Sequence, residues 1–99
     1  MDRIEAARLL RREMTTYARR SHGELAGLVG EIDAYEVRGA GGVAYQIEVE
    51  ARWDGRSGGT VMVMAGIDDG SFRGAFRPVT DGFLKEPDGS VRMSDAEPA

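Results

Sequence analysis

The sequence predicts a two-layer α+β domain, with an N-terminal helix packed on an antiparallel β-meander of four strands and residues to spare for a fifth. Three observations predict it. Apolar residues recur at three- and four-residue steps through residues 2–20. Val43 to Trp53 alternates apolar and polar side chains without a break. Glycine-rich turns then separate further apolar stretches at short intervals.

The helix is opened by Asp2, with Glu5 three residues on, a loose version of the capping box. Ile4, Ala7, Leu10, Met14 and Tyr17 form its expected inward stripe. Arg8, Arg12 and Arg19 fall away from it, and Ala6, Leu9 and Ala18 widen it on one side. Ser21 and Glu24 repeat the capping signature. Leu25, Leu28 and Val29 follow at helical spacing, which reads as a short helix over 22–29 or a broken continuation of the first. Gly23 and Gly27 weaken it, and Gly30 suits a helix C-terminus, where positive φ costs glycine nothing.

Strands are expected at 31–38, 43–53, 60–67 and 72–79. Gly39-Ala40-Gly41-Gly42 marks a hairpin, and Val37 opposite Tyr45 puts both apolar sets on one face. The expected inner face holds Tyr35, Val37, Val43, Tyr45, Ile47, Val49, Trp53, Val61, Val63, Ile67, Phe72 and Phe76. Pro78 cannot donate to a ladder, so the fourth strand lies at an edge or ends there. Thr80-Asp81-Gly82 reads as a turn before Phe83 and Leu84, with a last short strand near Val91. Trp53 opposite Val61 and Ile67 opposite Phe72 give three outward rows: Glu48–Gly66–Arg73, Glu50–Met64–Ala75 and Arg52–Met62–Arg77.

Ninety-nine residues make one domain, expected over 1–93, with 94–99 as a disordered tail. The absence of cysteine rules out disulfides, thiol catalysis and thiolate metal sites. One histidine rules out a multi-histidine metal site within a single chain. No apolar run approaches the roughly 20 residues of a membrane span, and the opening segment lacks the core of a signal peptide. The expectation is a cytoplasmic protein with no membrane partner. The formal net charge is −4, but residues 1–22 carry +3 and residues 23–99 carry −7.

No motif for chemistry stands out. His22 sits in a helix junction, where solvation is its ordinary fate. Asp68-Asp69-Gly70 lacks the spacing of a calcium loop and reads as a hairpin turn. Glu48 and Glu50 share a strand face but lack a cleft to shift a pKa. Gly39–Gly42 lies between strands and makes no phosphate loop, and no serine sits on a nucleophile elbow. These readings imply a protein that is not an enzyme, with no cofactor, metal or small-molecule substrate identified. A metal-dependent enzyme using the surface carboxylates is a remote alternative.

Geometry supplies the functional expectation. Four strands span about 19 Å, whereas one helix with side chains covers about 10–12 Å. A bare apolar strip follows, closed by Leu25, Leu28 and Val29, by Phe83–Leu84, or by a second copy. The expected role is a protein-interaction module that self-associates as a homodimer, of an accessory, immunity or antitoxin-like kind. Leu9, Leu25, Leu28, Met62, Met64, Phe83 and Leu84 are its candidate contact residues. The alternative is nucleic-acid binding through Arg8, Arg11, Arg12, Arg19 and Arg20, which the acidic body opposes.

Overall fold

The computed structural model describes residues 1–70 and 78–93. Its elements are α1 (Arg3–Ala18), α2 (His22–Ala26), β1 (Ile32–Arg38), β2 (Ala44–Trp53), β3 (Val61–Asp68), β4 (Val79–Lys85) and β5 (Val91–Met93). The strands form one sheet in chain order, each antiparallel to the next. Helix α1 lies across β3 and β4. The two-layer α+β fold is therefore as the sequence predicts, and among the described residues the expected last short strand near Val91 is present as β5.

Local chemistry explains the boundaries. Asp2 caps α1, its carboxylate accepting from the Glu5 N–H at 2.9 Å. Ser21 and Glu24 form the full capping box of α2. That helix ends at Ala26, earlier than expected, and turns lead to Gly30 at φ 89°. In the β1–β2 hairpin Gly42 takes φ 85°, and Val37 stands opposite Tyr45 as expected.

The fourth strand differs. Residues 72–77, and with them Phe72, Phe76 and the Arg73, Ala75 and Arg77 positions, lie outside the described residues. The strand that pairs with β3 is Val79–Lys85: Val61 faces Lys85, Val63 faces Phe83, Ala65 faces Asp81 and Ile67 faces Val79. Pro78 precedes this strand instead of ending one, and Asp81 is in the ladder instead of a turn. The outward rows are corrected to Glu48–Gly66–Thr80, Glu50–Met64–Gly82 and Arg52–Met62–Leu84.

This register sends two charged side chains inward. Asp81 and Lys85 are both buried. Each is answered by α1. The Arg11 guanidinium donates to Asp81 at 2.8 Å, and the Lys85 ammonium donates to the Ala18 carbonyl at 3.0 Å, at the helix end where a cation is favoured. The opposite flank of α1 reaches the first two strands. Glu5 accepts from the Tyr45 hydroxyl at 2.6 Å and from the Ala40 N–H at 3.0 Å. Glu13 accepts from Tyr35 at 2.8 Å, and Tyr17 donates to Asp33.

These polar contacts on both sides fix the rotation of the helix. Its buried stripe is Ala6, Leu9, Leu10, Met14 and Tyr17. Ile4, an expected core residue, is 76% exposed, and Ala7 is exposed too. Val43 is likewise surface rather than core, since it sits in the hairpin before β2 begins.

The expected bare strip on the inner face does not exist. Tyr45, Ile47, Val49, Ala51, Val61, Val63, Ala65, Ile67 and Phe83 are all buried within one chain. Leu25 closes the middle, with Leu28, Val29 and Trp53 packed beside it. Of the expected covers, the one within the chain is found, with Leu25, Leu28 and Val29 against the core. Tyr17 from α1 and Tyr35 from β1 bridge the space between these two elements through Asp33 and Glu13. On β4, where apolar and charged residues alternate, α1 satisfies the charges directly.

Two outcomes are expected from this packing. Burial, together with the carboxylate partner, raises the Tyr17 phenol to about 12. The hydrogen bond to Glu5, and then burial, raises Tyr45 to about 12, and burial and Glu13 raise Tyr35 further. Phenols whose folded pKa exceeds the unfolded value of about 10 favour the fold below that pH, and this stabilisation is lost as pH climbs toward 12. Absorbance at 295 nm is expected to stay flat through pH 10 and rise together with loss of structure. Separate, native-state ionisation near pH 10 contradicts the clamp. The second outcome concerns Gly82, where an added Cβ meets the Val63 carbonyl oxygen at 2.6 Å. Gly82→Ala must displace backbone, and a loss of about 1–3 kcal/mol is expected in urea unfolding; an unchanged midpoint contradicts this.

Candidate interaction surface

With the inner face closed, the outer face of the sheet is the open one. No described element lies over it. Its rows run Ile32–Glu50–Met64–Gly82, Ala34–Glu48–Gly66–Thr80 and Arg52–Met62–Leu84–Arg92. Met64 is 42% exposed and Ile32 66%, while Met62 and Leu84 are half-buried neighbours.

The face is not flat. Gly66 has no side chain, and a shallow groove of about 320 Å³ opens there. Ile32, Met64, Pro78 and Thr80 line its walls, and among the described residues its ionisable lining, Glu48, Glu50 and Asp68, is acidic. Glu50 is held by Arg52 at 3.1 Å, and Asp68 accepts from the Gly70 N–H at 2.8 Å. The arrangement is an apolar trough with an acidic rim, and methionine walls adapt to irregular shapes. A second cavity of about 200 Å³ lies at the start of β1, with Leu28, Val49, Ala51 and Val63 inside and Glu31, Asp33 and Glu50 around it. Asp33 is already engaged there by Tyr17.

The structure divides the residues expected to meet a protein. Met62, Met64 and Leu84 come together on the outer face. Leu9, Leu25 and Phe83 are core, at most 8% exposed, so their apolar surface is spent inside the chain. Leu28 is half-buried at the other side of the sheet, beside the smaller cavity. The sequence reasoning missed Ile32, Thr80 and Pro78. For Ile32 the signal was present: the Val37–Tyr45 register, carried back along the hairpin, places Ile32 opposite Glu50.

The arginines also divide. Arg11 is bound to Asp81, and Arg20 stacks on the Tyr17 ring with its guanidinium carbon 4.4 Å from the centroid. Both belong to the fold. Arg8, Arg12 and Arg19 share the outward face of α1 within about 40° of helix rotation, with Arg12 3.6 Å from Glu13.

The other candidates take structural roles. His22 is half-buried rather than solvated. Its Nε2 lies 2.7 Å from the Gly59 carbonyl, which can only accept, so Nε2 carries the hydrogen. The ring stands 6.1 Å from Trp53. Glu48 and Glu50 remain on the open sheet surface. Among the described residues no three histidine, aspartate or glutamate side chains converge as a metal site. No helix described is long and apolar enough to cross a membrane.

Removing apolar surface that faces water costs the fold little. Met64→Asp is expected to change unfolding stability by no more than about 0.5 kcal/mol, measured in urea. A loss of several times that size shows that Met64 is packed rather than free. In comparison with known proteins, the chain matches no family model, no curated protein and no solved structure.

Proposed function

We propose that this chain is a non-enzymatic protein-interaction domain whose docking surface is the outer face of the sheet. One observation carries the reading: exposed Met64 and Ile32 stand beside a trough over Gly66 whose ionisable lining, among the described residues, is acidic. A solvated sheet face ordinarily carries polar side chains, and an exposed methionine beside a groove suits an adaptable recognition surface. The chemistry that complements this surface is a protein segment with a basic residue to meet Glu48 and Asp68 and an apolar anchor to enter the trough.

The basic face of α1 supports the alternative of an anionic partner less well. Of the five arginines expected to act together, Arg11 and Arg20 are committed to Asp81 and Tyr17. The outward row that remains faces away from the sheet and offers no aromatic surface for base stacking.

The test is selection from a random peptide library displayed on phage, with the Met64→Asp protein as counter-selector. Enriched peptides are expected to pair lysine or arginine with a large apolar residue. Their affinity is expected to fall about tenfold or more, near 1.4 kcal/mol, on Met64→Asp and on Glu48→Lys. Peptides that bind both variants as well as the parent, or a selection that enriches nothing, overturn the assignment of this face.

A further inference from the structure

The sheet has two edges, and they are treated differently. At one edge the described β5 runs for three residues, Val91–Met93. At the other, β1 runs for seven residues in unbroken register with β2. It carries no proline, no lysine and no bulge, three of the usual guards of a free edge, and its one inward charge, Asp33, is held by Tyr17. Its two outward charges, Glu36 and Arg38, neutralise each other at 3.4 Å. Ile32 lies on it, 66% exposed.

The direction of the free backbone groups follows from the hairpin. The Gly39 N–H donates to the Val43 carbonyl at 2.9 Å, so this pair is a hydrogen-bonded one. Antiparallel pairs alternate, so Val37–Tyr45, Tyr35–Ile47 and Asp33–Val49 are hydrogen-bonded too. The N–H and C=O groups of Ile32, Ala34, Glu36 and Arg38 therefore point away from β2, and no described residue pairs with them.

We propose that a second copy of the chain adds to this edge, antiparallel, about a twofold axis through Tyr35 and perpendicular to the sheet. Only this register pairs all of the outward groups at once. Ile32 then faces Arg38 of the second copy, and Ala34 faces Glu36, each pair exchanging both of its hydrogen bonds. No like charges stand opposite each other. The Arg38 stem covers the exposed Ile32 while its guanidinium stays in water. On the inner side Asp33 faces Val37, and its carboxylate is already held by Tyr17. Helix α1 lies over β3 and β4, away from this edge, and leaves it open. The twofold leaves both outer faces on the same side, so the docking surface is doubled into one continuous sheet. This pairing does not depend on what the outer face binds.

Sedimentation of the protein at concentrations up to about 1 mM, with and without Ala34→Pro, tests it. The Ala34 N–H points outward, so proline there removes an edge donor without breaking the β1–β2 ladder. A concentration-dependent dimer is expected for the parent, with dissociation about tenfold or more easier in Ala34→Pro. Amide exchange of the parent is the second measurement and stands alone if the variant does not fold. The Ala34 and Glu36 amides are expected to slow about tenfold or more between dilute and concentrated samples. A parent that stays monomeric, a dimer indifferent to Ala34→Pro, or edge amides that exchange equally fast at both concentrations overturns the proposal. So does a dimer abolished by Met64→Asp, because that result assigns self-association to the sheet face. Loss of peptide binding on Met64→Asp with the dimer intact leaves the edge pairing standing.

Discussion

The β3–β4 register is the constraint from which the rest follows. By setting Ala65 opposite Asp81 and Val61 opposite Lys85, it buries an acid and a base beneath α1. A buried charge without a partner is among the costliest features a small domain can carry. Helix α1 must therefore lie where Arg11 reaches Asp81 and where its own C-terminal carbonyl meets Lys85. That placement sets its rotation, which in turn delivers Glu5, Glu13 and Tyr17 to the first two strands. Only one orientation of the helix satisfies both flanks. The polar clamp thus specifies the packing geometry, while the apolar stripe between its flanks supplies most of the burial.

Closing the inner face within one chain changes where association can occur. Two surfaces remain with groups that want a partner: the outer face, with its exposed methionine and acidic trough, and the unpaired edge of β1. The two are distinct in kind. A face recognises side chains through shape and charge. An edge recognises backbone, and gains specificity from register. In this molecule the edge register is self-complementary and the face is not neutral, so a second copy suits the former and a basic, apolar segment suits the latter.

Much of the fold was legible because β2 and β3 obey a clean period of two. Val43 to Trp53 placed the longest strand to within one residue, and Val37 opposite Tyr45 and Trp53 opposite Val61 both hold. Strand β4 was not legible, for a physical reason. Its inward residues are Val79, Asp81, Phe83 and Lys85, so the apolar alternation is broken by charges. Asp81 is paired with a guanidinium 70 residues away and Lys85 is hydrogen-bonded to a carbonyl 67 residues away, which no local pattern can announce. The helix stripe was misjudged at Ile4 for the same reason, since its rotation is set by distant polar partners. In the candidate site, Met62 and Met64 were visible as outward residues of β3. Ile32 needed one more step of register, and Thr80 needed the correct β4.

One chain dries the inner face and leaves the outer face to water. Methionine methyl resonances in the presence of an inert, soluble paramagnetic agent distinguish the two faces. Met14, fully buried, is expected to be untouched, and Met64, 42% exposed, strongly broadened in dilute protein. A Met64 methyl as sheltered as that of Met14 would mean that the outer face is already covered, and would overturn this division of the sheet.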